Sequence, residues 1–186
     1  AAVREAAETE NFCIVSPLSY AGKERTAANA RMMYAITVDL DKIRTDGQKP
    51  IGLMNLWNGH IMRAERIPKP TAIVSSGTGV HLYYILEQPI PLFRNIVEQM
   101  QAFKQKLTWL IWNEGIVDIK SDADIQQEGI FQAFRMVGTI TKNGDRARAF
   151  LTGDKVSMEY LNEFVDEKNR VTQFKYKSNL TLKQAK

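Results

Sequence analysis

Among 186 residues there is one cysteine, Cys13, and there are two histidines, His60 and His81. A lone thiol excludes an intramolecular disulfide and a cysteine zinc cluster, and it suits a reducing compartment, so the sequence predicts a cytoplasmic protein. Long apolar runs are also missing. The longest, such as residues 82–86, have strand length and fall far short of the ~18 residues of a membrane helix, so no membrane partner is expected. Residues 1–10 lack the basic, apolar, small-residue order of a secretory signal; rich in alanine and glutamate, they read as a helix stub cut from a longer polypeptide.

An excess of one charge is missing from most of the chain as well. The formal net charge is +4, from 25 basic and 21 acidic residues. Residues 166–186 alone carry six basic and two acidic side chains, which leaves nineteen of each in the rest. The basic surplus therefore belongs to a C-terminal linker or helix, and residues 1–165 form a domain of balanced charge. Hydrophobic residues at 44% and charged ones at 25% are those of a chain with a real core.

What is present is periodicity that changes along the chain. Ser16-Pro17 followed by an alanine-rich run predicts a helix to about residue 32. Residues 34–41 alternate, with Tyr34, Ile36, Val38 and Leu40 on one side, and predict a strand with an acidic end. A helix over 50–62 is followed by Pro68-Lys69-Pro70. Residues 71–76 and 80–87 are β-rich and flank Gly77-Thr78-Gly79, a hairpin signature. A strong amphipathic helix spans 92–113, with Phe93, Ile96, Val97, Met100, Phe103, Leu107, Leu110 and Ile111 on its core stripe. Residues 117–127 are acidic and irregular, 130–141 and 146–152 read as strands around Asn143-Gly144, and Ser157 caps a short helix. The pattern is α+β, with a largely antiparallel or mixed sheet.

Three segments carry residues suited to chemistry. Asp39 and Asp41 lie two apart on a strand, so their Cα atoms are ~6.6–6.8 Å apart on one face and can converge on hard cations such as Mg²⁺ or Mn²⁺. Taken alone, such a pair is also an ordinary polar strand end. Ser76-Gly77-Thr78-Gly79 can cradle phosphate through backbone N–H groups, and His81 follows on the strand, but neither a Walker lysine nor a dinucleotide helix comes after it. Arg135 and Lys142 can neutralise phosphate charge, the former through a bidentate fork.

Taken in this order, these segments resemble the archaeo-eukaryotic primase superfamily, in particular the primase-polymerase domains of plasmids, phages and other mobile elements. The strand-end D-x-D is matched by Asp39 and Asp41, and S-G-x-G-x-H by Ser76, Gly77, Gly79 and His81. The family's third acid stands about eleven positions before an arginine that leads into R-x-P-G-T. Asp124 and Arg135 fit that spacing; Asp118 and Asp122 are rivals for the acid, and Val137 stands where proline is usual.

The resemblance implies a primase fold, with an RRM-like sheet flanked by helices beside a smaller N-terminal α/β unit. It also implies a nucleotidyltransferase, a DNA primase or polymerase working with two divalent cations, Mg²⁺ or Mn²⁺, on Asp39, Asp41 and Asp124. Ser76, Gly77, Thr78, Gly79, His81, Arg135 and Lys142 would grip an NTP or dNTP. Single-stranded DNA would be the template and a fused or associated helicase a partner. A rolling-circle nuclease needs two neighbouring histidines, and His60 and His81 fall on different predicted elements. A non-catalytic single-strand-binding module of a replication protein is the other reading.

Overall fold

The computed structural model describes residues 2–8 and 11–175. In chain order its elements are α1 (Ala2–Glu8), β1 (Ile14–Val15), β2 (Leu18–Tyr20), β3 (Ala30–Leu40), α2 (Ile51–Met54), β4 (Ala72–Ser75), β5 (Val80–Pro91), α3 (Arg94–Ile111), β6 (Phe134–Arg135), β7 (Arg148–Leu151) and α4 (Met158–Asn162). After α2 the helix continues as π-helical turns over Asn55–Arg63. Five strands form one antiparallel sheet in the order β2-β3-β5-β4-β7, and β1 pairs with β6 in a separate two-stranded ribbon. This is an α+β architecture: a central sheet flanked by helices, with a small α1/β1/β6 unit beside it.

The long β3/β5 pair organises the rest. Directly opposed residues of an antiparallel ladder point to the same side of the sheet. Ile36 with Tyr84, Val38 with Leu82, and Leu40 with Val80 therefore share one face, and Thr37 with Tyr83 and Asp39 with His81 share the other. The first set is core: Leu40, Leu82 and Tyr84 are fully buried. They cluster with Ile96, Met100, Phe103, Leu107 and Ile111 of α3, each also fully buried; Val97 and Leu110 pack partly buried against the same core, whereas Phe93, expected on the stripe, lies just before the helix and is exposed. Burial of a side chain of this size contributes ~1.5–3 kcal/mol. The alternation has one break: the register shifts between Met33 and Ala35, which leaves Tyr34 exposed instead of facing the core.

Two expectations are corrected. The helix expected over 17–32 is absent. Tyr34 N–H donates to Pro17 O (2.9 Å), Leu18–Tyr20 pairs with the start of β3, and Gly22 turns the chain at φ +73°. Pairing along the β3 edge outweighs the few tenths of a kcal/mol per residue that alanine offers a helix. The strands expected over 130–141 and 146–152 do not form a hairpin with each other beyond a bridge between Ile140 and Arg146. Residues 134–135 pair instead with β1, and 148–151 extend the main sheet beyond β4. Gly138, at φ +90°, bends the chain between these two destinations.

Residues 166–175 run back over the body rather than leaving it. Val171 is buried and exchanges hydrogen bonds with the Asn162 side chain, and Gln99 of α3 accepts from the N–H groups of Thr172 and Gln173. The remainder of the basic tail, 176–186, lies outside the described residues. No described helix is long and apolar enough to cross a membrane.

The hairpin joining β4 to β5 closes with Ser76 N–H donating to Gly79 O (3.0 Å), and Gly77 adopts φ +112°. Gly79 is buried against the end of β3. A Cβ there would collide with the Leu40 carbonyl and lie 2.8 Å from Asp41 Oδ1. Gly79→Ala should therefore destabilise the fold by about 2–3 kcal/mol, as overpacking against backbone does, read as a lower urea midpoint at unchanged slope.

Candidate functional site

The site is built on the non-core face of β3 and β5, where each ends beside the glycine turn. Asp39 Oδ1 lies 3.5 Å from His81 Nε2, a contact too long for a good hydrogen bond. The Asp39 backbone is held from behind, because Trp112 Nε1–H donates to its carbonyl (2.7 Å). Phe134 of β6 packs edge-on against His81, with centroids 5.3 Å apart, and also against Tyr83 at 6.1 Å. The aromatic packing shuts water out on one side and leaves the imidazole buried.

Burial governs the titration of this group. It pushes His81 down to about 4, against the pull of Asp41 and with the help of Arg135, so the imidazole is neutral at physiological pH. Burial first, then the charges of Asp41 and Glu128, push Asp39 up to about 7 against the opposing pull of Lys104. Glu128 is itself raised by burial and by Asp41, and lowered by Lys104. Three carboxylates therefore sense one another: Asp39, Asp41 and Glu128. Their internal counter-charge is Lys104, a buried side chain on α3 with Nζ 3.9 Å from Glu128 Oε2, 3.1 Å from Gly129 O and 5.3 Å from the centre of the Phe134 ring. Burial pulls this ammonium down to about 8 even though the acids resist.

Of the residues expected from the sequence, the structure brings Asp39, Asp41 and His81 together beside the turn that carries Ser76, Gly77, Thr78 and Gly79. Thr141 packs against Gly77 and links the turn to the segment after β6. Arg135 is buried on β6 and near enough to influence His81. Its guanidinium stacks on Phe12 at 3.4 Å, and Nη1–H donates to Ile140 O (3.3 Å). Lys142 is exposed on the following turn.

Asp124 is not brought to the trio. Its Oδ2 accepts from the backbone N–H groups of Lys120 (2.8 Å) and Ser121 (3.1 Å), which completes a capping box on the short turn Asp122–Asp124 and holds its carboxyl below the usual range. The charges it senses are Lys42 and Lys120, not Asp39 or Asp41. Asp118 and Asp122 are exposed on the same loop. The acid after this loop whose charge bears on Asp39 is Glu128.

Glu128 and Lys104 were not anticipated. For Lys104 a signal existed: it interrupts the apolar stripe between Met100 and Leu107, where a solvated lysine does not belong. Glu128 sits in an irregular acidic stretch whose sequence has no period to orient it.

The chemistry left open is specific. Asp39 Oδ1, His81 Nδ1, Glu128 Oε2, Arg135 Nε, Thr37 Oγ1 and Thr141 Oγ1 are buried polar atoms without a hydrogen-bond partner; among the described residues the only other is Asn169 Nδ2. Such orphans are costly unless a ligand satisfies them. Clustered carboxylate oxygens are hard donors and fit a divalent cation of the magnesium type, which needs one or two carboxylates and takes its remaining ligands from phosphate and water. Among the described residues no group of three or more such side chains is placed to hold a metal ion, so the fit rests on the chemistry of the carboxylate oxygens.

Sheet, helices and side unit together have the fold of an archaeo-eukaryotic primase-polymerase domain. Among solved structures the chain is similar to the AEP domain of the primase-polymerase of cyanophage S-2L, with a TM-score of 0.60 and 16% sequence identity over 89% of this chain and 76% of that one. At that identity the likeness is one of fold. No family model matches the sequence, and no curated protein does.

The raised Asp39 gives a stability test with a defined sign. Unfolded, its carboxyl loses its proton near the ordinary value of 3.8; folded, near 7. Between those values the folded chain holds more protons, so stability falls as pH rises through the window. Asp39→Asn removes that loss. In chelator at pH 8 it should stabilise by about 1–2 kcal/mol, a melting temperature roughly 2–8 °C higher for a domain of this size, with the gain shrinking toward pH 5.

Proposed function

We propose that the protein is a template-directed nucleotidyltransferase, a DNA primase or polymerase that joins NTPs or dNTPs along single-stranded DNA. The observation that carries this reading is the meeting of Asp39 and Asp41 with His81 and the Ser76–Gly79 turn, on a sheet with the fold of a phage primase-polymerase domain. A D-x-D strand end and a glycine turn with a histidine are common separately. Their convergence on one face, with unpartnered buried oxygens, is not.

In this reading Asp39 and Asp41 hold divalent cations, Mg²⁺ or Mn²⁺, with Glu128 as the third carboxylate in place of Asp124. Bound there, the cations neutralise triphosphate charge and lower the barrier to attack by a 3′-hydroxyl. The chain's own groups do the rest. His81, neutral because it is buried, has Nδ1 unpartnered and can hydrogen-bond a phosphate oxygen without carrying charge into the site. Backbone N–H groups of residues 77–79 would meet the same phosphates, Ser76 N–H being spent on closing the turn, with the Ser76 and Thr78 hydroxyls beside them. Arg135, fixed in orientation by Phe12 and Ile140 O, and Lys142 on its exposed turn add positive charge as pyrophosphate leaves. Asp124 keeps its capping role and orders the loop that precedes Glu128.

The test is primer synthesis on single-stranded DNA with Mg²⁺ or Mn²⁺ and NTPs or dNTPs, with and without chelator. Short products are expected from the wild type and are lost in chelator. Asp39→Ala with Asp41→Ala should abolish them, by about 10³-fold or more, with the melting temperature retained; equal product from the double variant would defeat the metal assignment. A wild-type protein that binds the template but makes no product under any of these conditions would be a binding module. His81→Ala should weaken nucleotide binding by about 10- to 150-fold, the loss expected for one buried hydrogen bond to a charged group, and leave template binding in place; both are read by titration calorimetry.

A further inference from the structure

The opposite face of the main sheet carries a second concavity. A groove of about 630 Å³ lies between the helix after β3 and the β4/β7 edge, within the range of about 300–1,000 Å³ of ligand sites. By register Ile73, Val80, Arg148 and Phe150 all point to the side of the sheet opposite Asp39 and His81. Leu56 and Trp57 close the groove from the helix. It is therefore separate from the carboxylate site.

We propose that this groove binds single-stranded nucleic acid, with bases stacked on Phe150 and Trp57 and the backbone held by Arg148. Three observations point to that occupant. Phe150 is 58% exposed on an edge strand and lines the groove on the same side of the sheet as Arg148, which leaves its ring open to a stacking partner. Arg148, directly across the ladder from Ser75, makes no hydrogen bond or ion pair with any described residue, so its planar fork is available to phosphate. The charge is lopsided: Arg146 and Arg148 line the groove against a single acid, Asp145. Arg146 also donates through Nη1 to Gly138 O (2.7 Å) and Ala7 O (3.1 Å), which fixes its position at the rim.

Two aromatic platforms with cations beside them match the demands of a single strand, whose unpaired bases each offer a π-face and whose phosphates need neutralising. Duplex bases are already stacked and cannot use these rings. Binding here needs neither a metal nor turnover at Asp39, so it goes beyond the polymerase reading and does not depend on it. It gives the chain a hold on the strand remote from the site of chemistry.

The test is fluorescence anisotropy of the full chain with labelled 15-mers of dT and rU in chelator. Phe150→Ala and Arg148→Ala should each weaken binding by about 5- to 30-fold, as loss of one stacked base or one phosphate contact does, and Arg148→Ala should flatten the salt dependence by about 0.7 in log–log slope. Phe150→Tyr keeps the ring and should bind as the wild type does. Both side chains are exposed, so the folded state is expected to survive, and the melting temperature checks it. If both alanine variants bind like the wild type, the strand lies elsewhere or the groove takes a protein segment, and the proposal is overturned; absence of wild-type binding to either oligonucleotide overturns it too. Equal loss on dT and rU identifies a shared single-strand site, and loss on one alone names the preferred sugar. Failure of primer synthesis with the groove effect intact counts against the polymerase reading only.

Discussion

The antiparallel ladder between β3 and β5 is the constraint on which the rest depends. Its register sets Asp39 opposite His81 and, on the reverse side, Val38 opposite Leu82. A slip of one residue would exchange the faces, driving the carboxylate into the core and the leucine onto the site. The buried face resists that slip through several fully buried side chains. Gly79 adds a local lock: it lets the turn press against Leu40 and Asp41 where any side chain would hold it away. The pairing that stabilises the sheet thus also aligns the chemistry.

The group it aligns is electrostatically under-compensated. Asp39, Asp41 and Glu128 repel one another in a setting already poor in water, and Lys104 answers only part of that repulsion. A protein tuned for stability alone would put apolar or amide side chains here. The strain is tolerated because α3 and the sheet carry a continuous core. Lys104 is anchored in that same helix, so the counter-charge and the core it interrupts are positioned by one element.

The main sheet also separates its two surfaces by chemistry. Alternation along β4, β5 and β7 sends Val74, His81 and Ala149 one way, and Ser75, Val80, Arg148 and Phe150 the other. One surface gathers the carboxylates and an imidazole; its reverse carries the core and, at the β4/β7 edge, Arg148 and Phe150. Period-two geometry is sufficient to build both from four- to twelve-residue strands without mixing them.

Much of this was legible from local pattern. The hairpin around Gly77-Thr78-Gly79, the core stripe of α3 and the acidic end of β3 are encoded in neighbouring residues, because turn chemistry, helical spacing and strand alternation are local properties. Residues 17–32 were not legible: alanine content favours a helix, but the free edge of β3 offers hydrogen bonds that only the assembled sheet provides. The destinations of β6 and β7 were hidden for the same reason. The third carboxylate is the sharpest case. Spacing to Arg135 favours Asp124 over Asp118 and Asp122, but spacing shows neither that backbone N–H groups of its own loop hold that side chain nor that the charge of Glu128 bears on Asp39. Residue order alone determined which strand bears the acids, which turn bears the histidine and where the main helix lies. Tertiary structure decided which loop acid joins them and which lysine answers their charge, because those choices rest on long-range pairing and on the exclusion of water, and neither is a property of nearest neighbours.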